Sequence, residues 1–383
     1  MSVTSPKGFR AAGVAAGLKP GGLRDVAVLV NDGPSWAAGG LVTRNRVKAA
    51  PVRWTEQVLR SGRLRAVVLN SGGANACTGH AGFADTHVTA EHAAAALACG
   101  AGEVAVCSTG LIGERLALPE LLAGVDAAVE SLSALGGADA AEAIITTDTV
   151  AKTVVVERLG FSVGGMAKGA GMLAPGLATM LAVLTTDAVA SAELLGEAIA
   201  GAVASTFDLV DSDGCMSTND TVLLLASGAS GVVPPAAELG SAVQEACAVL
   251  ARLLVADAEG ASKEVAVEVT GAADMADAVE VGRSVARSNL LKCALAGQDP
   301  NWGRVLAAVG TTSAVFDPDD LAVAINGVWV CRKGTADEPR ELVDLTGRDV
   351  RIVVDLGAGS STATIWTNDL TTEYVRENSA YST

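Results

Sequence analysis

The sequence predicts a mixed α/β protein with a strand-rich final quarter, and three observations carry that prediction. Short β-branched runs alternate with Ala/Leu-rich helical runs through the first half, as in layered α/β folds. Half of the 383 residues are hydrophobic and 18% are charged, so there is ample apolar surface to offset chain entropy, and the chain is globular. In the last quarter one strand-like run follows another.

In chain order, DVAVLVN (25–31) reads as a strand, Pro51 opens a helix, and RAVVLN (65–70) is a second strand. FADTHVTAEHAAAALACG (83–100) is helical, EVAVCSTG (103–110) is a strand running into a turn, PELLAGVDAAVESL (119–132) is a helix, and KTVVVER (152–158) is a strand. VVPPAAE (232–238) is the best exposed-loop candidate near the middle. Beyond it SKEVAVEVTG (262–271), LAVAINGVWVC (321–331), DVRIVVDLG (349–357) and TATIWT (362–367) read as strands, with Asn326-Gly327 a two-residue hairpin signal. There are no repeats and no Gly/Ser linker.

Composition narrows the function. A net charge of −16 and 3% aromatics argue against a nucleic-acid partner, which needs clustered cations and stacking rings. The seven cysteines (77, 99, 107, 215, 247, 293, 331) form no CxxC pair and sit mostly among Ala and Val, which implies buried free thiols and a reducing cytoplasm. The N-terminal MSVTSPKGFRAAGVAAGLK has a basic start, but its apolar run is too weak and glycine-broken for an export signal. From Gly169 to Thr186 the chain is uncharged, yet Pro175, three glycines and three threonines exclude a membrane span, which wants about 20 mostly apolar residues.

Histidine is scarce. His80, His87 and His92 are spaced by seven and five, which is not the same-face spacing of a helical metal pair; a solvated helix face is the expectation, with no metal site. A Ser-His-Asp mechanism would have to draw its base from these three and is disfavoured. GAGMLA (169–174) matches a loose dinucleotide fingerprint, but Pro175 follows directly and a lone match of this kind is weak, so no nicotinamide cofactor is expected.

Ala178-Thr179 offers another route. A threonine hydroxyl is a poor nucleophile without a base, and cutting the bond before it would expose an α-amine titrating near about 7.7–8.0 as that base. Taken alone, an Ala-Thr pair is a structural strand element. CSTG (107–110) ends a strand with the donor types of an oxyanion hole, although an ordinary turn has the same pattern. Lys168 precedes a glycine-rich loop, and Glu259 stands in DAEGASK, where a carboxylate could meet a cationic substrate or end a helix.

These residues resemble the ornithine acetyltransferases (glutamate N-acetyltransferases) of arginine biosynthesis. NSGGANACTG (70–79), CSTGLIG (107–113), AIITTDT (143–149), GMAKGAGMLAPGLATMLAVLTTDA (165–188), STNDT (217–221), DAEGASK (257–263), GQDPNWGRV (297–305) and the terminal ENSAYST carry the resemblance almost end to end. It implies a helix–sheet–sheet–helix sandwich with a smaller C-terminal α/β region, of the self-cleaving N-terminal-nucleophile type. It implies scission between Ala178 and Thr179 into an alpha chain, 1–178, and a beta chain, 179–383, which associate as a heterotetramer. Thr179 would be the nucleophile and its amine the base, with Thr109 and Gly110 as the oxyanion hole. Thr146, Lys168, Thr179, Glu259, Asn378 and Thr383 would bind substrate, with Thr147 the alternative to Thr146. Many relatives carry Asn where this chain has Gly176.

The implied reaction moves acetyl from N2-acetyl-L-ornithine to L-glutamate through an acetyl-threonine, in the cytoplasm, with small-molecule partners and no cofactor; acetyl-CoA is an optional second donor. The competing readings are an N-terminal-nucleophile aminopeptidase or amidohydrolase on a similar fold, a dinucleotide-dependent oxidoreductase, and a non-catalytic amino-acid sensor.

Overall fold

The computed structural model describes residues 2–174 and 180–380. Along the chain run β1 (Phe9–Val14), β2 (Val26–Asn31), β3 (Ala37–Val42), α1 (Ala50–Leu59), β4 (Ala66–Ser71), α2 (Gly79–Ala96), β5 (Val104–Thr109), α3 (Leu118–Glu130) and α4 (Gly137–Ala143). Then come β6 (Lys152–Arg158), β7 (Phe161–Lys168), β8 (Leu181–Thr186), α5 (Ala192–Ser205), β9 (Thr221–Ala226) and α6 (Ala236–Ala256). The rest is β10 (Glu264–Ala272), α7 (Met275–Ala286), α8 (Asn289–Ala296), α9 (Trp302–Val309), β11 (Ala322–Ile325), β12 (Val328–Arg332), β13 (Thr335–Ala336), β14 (Asp349–Asp355), β15 (Ser361–Asn368) and α10 (Thr372–Ala380).

Two sheets lie face to face. One has the order β1-β2-β4-β5, the other β3-β9-β8-β7-β6. The alternation along β8 and β9 shows how they pack: Leu181, Val183, Leu223 and Leu225 join a core with the first sheet and with α1–α4, whereas Ala182, Leu184, Val222 and Leu224 join a second core under α5 and α6. The layers therefore run helix, sheet, sheet, helix, as the resemblance implied. Strands buried on both faces read as unbroken apolar runs, which is why VAVLVN in β2 and TVLLLA in β9 are buried at every position.

The third sheet, β13-β12-β11-β14-β10-β15, belongs to the C-terminal region. One of its faces packs on α7–α9, so β10 alternates between buried Val265, Val267 and Val269 and wetter neighbours. The hairpin at Asn326-Gly327 forms as read, both residues taking positive φ (47° and 87°). Not foreseen from the sequence are α4–α6, α10 and, between the C-terminal strands, α7–α9. The N-terminal run reads as a weak export-like segment, whereas FRAAGV is β1, paired antiparallel along β2. By length and composition α6 could cross a membrane, but its apolar side, including Leu239, Val243, Leu250 and Leu254, covers the second sheet. Cys107, Cys247 and Cys331 are buried, but Cys77, Cys215 and Cys293 are exposed, so burial of most thiols does not hold.

Two buried carboxylates tie loops to this frame. Asp25 accepts the amides of Ala16 (2.6 Å), Gly17 (3.0 Å), Leu18 (2.6 Å) and Lys19 (2.9 Å), satisfying a turn that has no ladder partner. Asp148 and Asp257 hold Lys152 Nζ between them at 2.6 Å each, with the ammonium fully enclosed. Asp148 also accepts the Gly169 amide at 2.6 Å and the Thr146 amide at 3.1 Å. Burial alone would push the Asp148 carboxyl up; Lys168, Lys152 and the Gly169 amide more than reverse this and hold it below the ordinary carboxylate range.

Asp25→Ala strands four amides and should lower the unfolding free energy by about 2–4 kcal/mol in urea titrations. Asp148→Asn leaves two buried lysines short of charge and should cost about 3–5 kcal/mol. The native value of Asp148 lies below its unfolded one, so its stabilisation is complete above about pH 4–5 and is withdrawn as pH falls through the lowered value. Denaturation curves of the Asn variant should accordingly fall less steeply with acid than those of the native protein.

Candidate active site

The strand register brings several chain segments to one end of the sandwich. β7 and β8 are antiparallel with Lys168 opposite Leu181, and β8 and β9 are parallel with Leu181 opposite Thr221. The end of β7 therefore meets the starts of β8 and β9. On the facing sheet β5 ends at Thr109, beside Ser71 of β4. A cavity at this end is lined by Thr109, Gly110, Thr146, Thr147, Lys168 and Glu259, with Asn378 from α10 and Ser217–Asn219 also on its wall. Both threonines of the TTDT doublet line it, Thr146 and its alternative Thr147 alike. The cavity continues outward past Thr146, Thr147, Glu259 and Asn378 to Arg376 and Glu377. Ala178, Thr179 and Thr383 lie outside the described residues.

Gly110 is demanded by its place. Its φ is +128°, and a Cβ there would stand 2.5 Å from the Gly73 nitrogen. Gly73 N–H in turn donates to the Thr109 carbonyl at 3.0 Å, fixing the turn that closes β5. Asn219, from the loop before β9, braces the same turn across the two sheets, its Nδ2 donating to Ala74 O at 2.6 Å and to Ser108 O at 2.8 Å. Nothing local in the STNDT motif marks Asn219 for this task, because its acceptors lie more than a hundred residues away.

Lys168 is 3% exposed, and its Nζ donates to Thr109 Oγ1 at 3.2 Å. Since that oxygen is accepting, the Thr109 hydroxyl proton is free to donate elsewhere, as an oxyanion hole requires. Burial lowers the Lys168 ammonium; Asp148, Asp220 and Glu259 favour its charge, while Lys152 opposes it. Glu259 is held by its amide to Ala170 O (2.9 Å), and its Oε2 accepts from Asn378 Nδ2 at 2.8 Å. A Cβ on Gly171 would meet the Glu259 carboxylate at 2.5 Å, so that glycine makes room for the acid.

The site thus presents a buried ammonium, a carboxylate and a hydroxyl beside a backbone N–H in one cavity, a donor and acceptor set suited to a zwitterionic amino acid and to a developing oxyanion. Away from it, the histidines lie along α2, where the His87 ring lies tilted by 36° against Trp54 with ring centroids 5.0 Å apart and His92 meets Asp126 at 2.7 Å.

The ArgJ family model matches residues 10–383. Among curated relatives, the arginine biosynthesis bifunctional protein ArgJ of Thermobifida fusca is 63% identical over 383 residues, and that of Streptomyces coelicolor is 64% identical over 382, each match spanning 100% of both chains. A solved structure of an ornithine acetyltransferase complexed with ornithine, from Mycobacterium tuberculosis, is 60% identical and covers 47% of this chain and 96% of that one, with a TM-score of 0.45. With one family model spanning nearly the whole sequence and relatives alike from end to end, this chain belongs to the ArgJ family.

Proposed function

We propose that this chain is a self-processing acyltransferase of arginine biosynthesis that moves acetyl from N2-acetyl-L-ornithine to L-glutamate. The observation that carries the reading is the company kept in one cavity: Lys168, Glu259, Thr109 and Gly110 together, at the end of the sandwich where β8 begins. Scission between Ala178 and Thr179 gives chains 1–178 and 179–383 and frees the amine of Thr179.

In the first half-reaction the Thr179 hydroxyl attacks the acetyl carbonyl carbon while its proton passes to the Thr179 amine. Thr109 O–H and Gly110 N–H donate to the oxyanion. Collapse breaks the C–N bond, the ammonium returns the proton to the departing nitrogen, and ornithine leaves an acetyl ester on Thr179. In the second half-reaction the α-amine of glutamate attacks that ester and the same steps run in reverse, releasing N-acetylglutamate. Both substrates share an α-carboxylate-bearing core, so Lys168, Glu259, Thr146, Asn378 and Thr383 can serve both. Acetyl-CoA is the proposed second donor for glutamate, in keeping with relatives named bifunctional. The two chains are proposed to associate as a cytoplasmic heterotetramer.

Intact mass after incubation with acetylornithine alone should show two polypeptides, the one starting at Thr179 heavier by one acetyl; acetate released at the same rate without glutamate would indicate a hydrolase instead. Thr179→Ala should remain one chain and transfer nothing. Glu259→Gln should raise KM about tenfold or more, the loss of one charge-assisted contact, while self-cleavage proceeds at the native rate; equal loss of both would assign Glu259 to folding.

A further inference from the structure

Asp220 stands directly before β9 and is fully buried. Its Oδ1 accepts the Met180 amide at 3.0 Å. That amide belongs to the peptide bond made by the carboxyl group of Thr179, so Asp220 grips the chain one bond beyond the carbonyl carbon of the proposed nucleophile. The next residue completes the hold: Thr221 N–H donates to Met180 O at 3.1 Å. Both backbone groups of Met180 are therefore fixed by two successive residues of the neighbouring strand.

Ladder pairing alone does not need a carboxyl here. Asp220 Oδ2 has no hydrogen-bond partner among the described residues. Burial pushes the group well above the ordinary carboxylate range, and the Met180 amide, the Thr43 and Ser217 hydroxyls and the Lys168 charge reverse only part of that. The Thr43 hydroxyl is committed to the Ser217 carbonyl at 2.8 Å, and neither hydroxyl closes a hydrogen bond to Oδ2. A buried, half-partnered acid is poor value for stability, which directs attention to its one firm contact. Ser217, Thr218 and Asn219 line the cavity and Asp220 does not, so its influence on a bound molecule must pass through the chain it holds.

We propose that Asp220 is a positioning residue for Thr179: by holding the 179–180 amide from the adjacent strand, it sets where the reacting hydroxyl and amine stand relative to Thr109 and Gly110. The inference rests on Thr179 being the nucleophile. It makes the hydrogen-bond acceptor at position 220, rather than its charge, the property that matters.

The test compares Asp220→Asn, which keeps an acceptor oxygen, with Asp220→Leu, branched alike but unable to accept, in the full chain. Self-cleavage is followed by intact mass, kcat and KM are measured on the cleaved fraction, and folding is followed by thermal unfolding. The Leu variant should cleave and turn over about 100-fold more slowly or worse, as for a misplaced reacting group, with KM within about twofold and an unfolding midpoint no lower than native. The Asn variant should stay within about tenfold of native rates. Native rates in the Leu variant, an Asn variant as slow as the Leu one, or a loss confined to KM would each overturn the proposal. Asp220→Ala is the second apolar comparison; if Leu and Ala variants both fail to unfold cooperatively while Asn does, the carboxyl serves stability and the proposal falls. A native protein active without any scission would instead refute Thr179 as the nucleophile, an outcome legible before any variant is made.

Discussion

The geometry of the site depends on one constraint, the burial of Lys152 and Lys168 around a single carboxylate. Asp148 carries two oxygens and receives three donors: Lys152 Nζ at the start of β6, the Gly169 amide at the end of β7, and the Thr146 amide in its own loop. Through Lys152 it is joined to Asp257 at the end of α6, two residues before Glu259. One group thus sets the relative positions of Thr146, Lys168 and Glu259, residues contributed by three separate segments. Buried ion pairs of this kind contribute little net stability compared with apolar packing, but they are costly to break and admit few arrangements. That is a suitable property where small displacements of a reacting group matter more than the depth of the energy well.

The second constraint is closeness of backbone. No aromatic residue is among the described residues that line the cavity, and at two glycines main chain or a carboxylate comes close at its wall. Gly110 lets the end of β5 approach Gly73, and Gly171 admits the carboxylate of Glu259. Asn219 then locks the arrangement, since its side-chain amide bonds a carbonyl of β5 and one of the loop after β4 from a loop that feeds the second sheet. The two sheets are therefore fixed relative to each other at the end where the cavity lies, and the donors of the Thr109–Gly110 turn are set before any ligand arrives, which is what makes such donors effective.

Periodicity made the first sheet and the C-terminal strands legible, because β2, β4, β5, β6 and those strands carry local apolar patterns, and Asn-Gly carries its own turn chemistry, whereas β3, β9 and α4–α6 went unread. The short helices α8 and α9 were hidden among strands, being too brief to show a full helical period, and the glycine-broken β1 lacked the β-branched residues that mark its neighbours. At the site, Thr109, Gly110, Thr146, Lys168, Glu259 and Asn378 could be named because each sits in a recognisable motif. Asp148, Lys152, Asn219 and Asp220 received no role, since what they do is decided by their partners. Lys152 meets Asp257 across 105 residues and Asn219 meets Ala74 across 145, separations at which sequence carries no readable pattern.

The buried lysines sharpen the assignment of Lys168. Lys263 is surrounded by the carbonyls of Leu345, Thr346 and Gly347, and Lys292 by the carbonyls of Ser212 and Asn368 with the Thr367 hydroxyl. Lys152 holds two carboxylates. Each of these ammonium groups, with three protons to place, has its acceptors built into the fold. Lys168 differs: among the described residues its hydrogen-bond acceptor is the neutral Thr109 hydroxyl, and the carboxylates of Asp148, Asp220 and Glu259 act on it through charge. A buried ammonium left with donors to spare is expensive in a folded chain and is retained where something else completes it. Because Lys168 lines the cavity, that something can be an incoming anion, and a carboxylate on the ligand would both fill the missing acceptors and offset the burial that lowers the ammonium. Among the described residues, the count of built-in acceptors thus sets Lys168 apart from the three lysines that brace the fold.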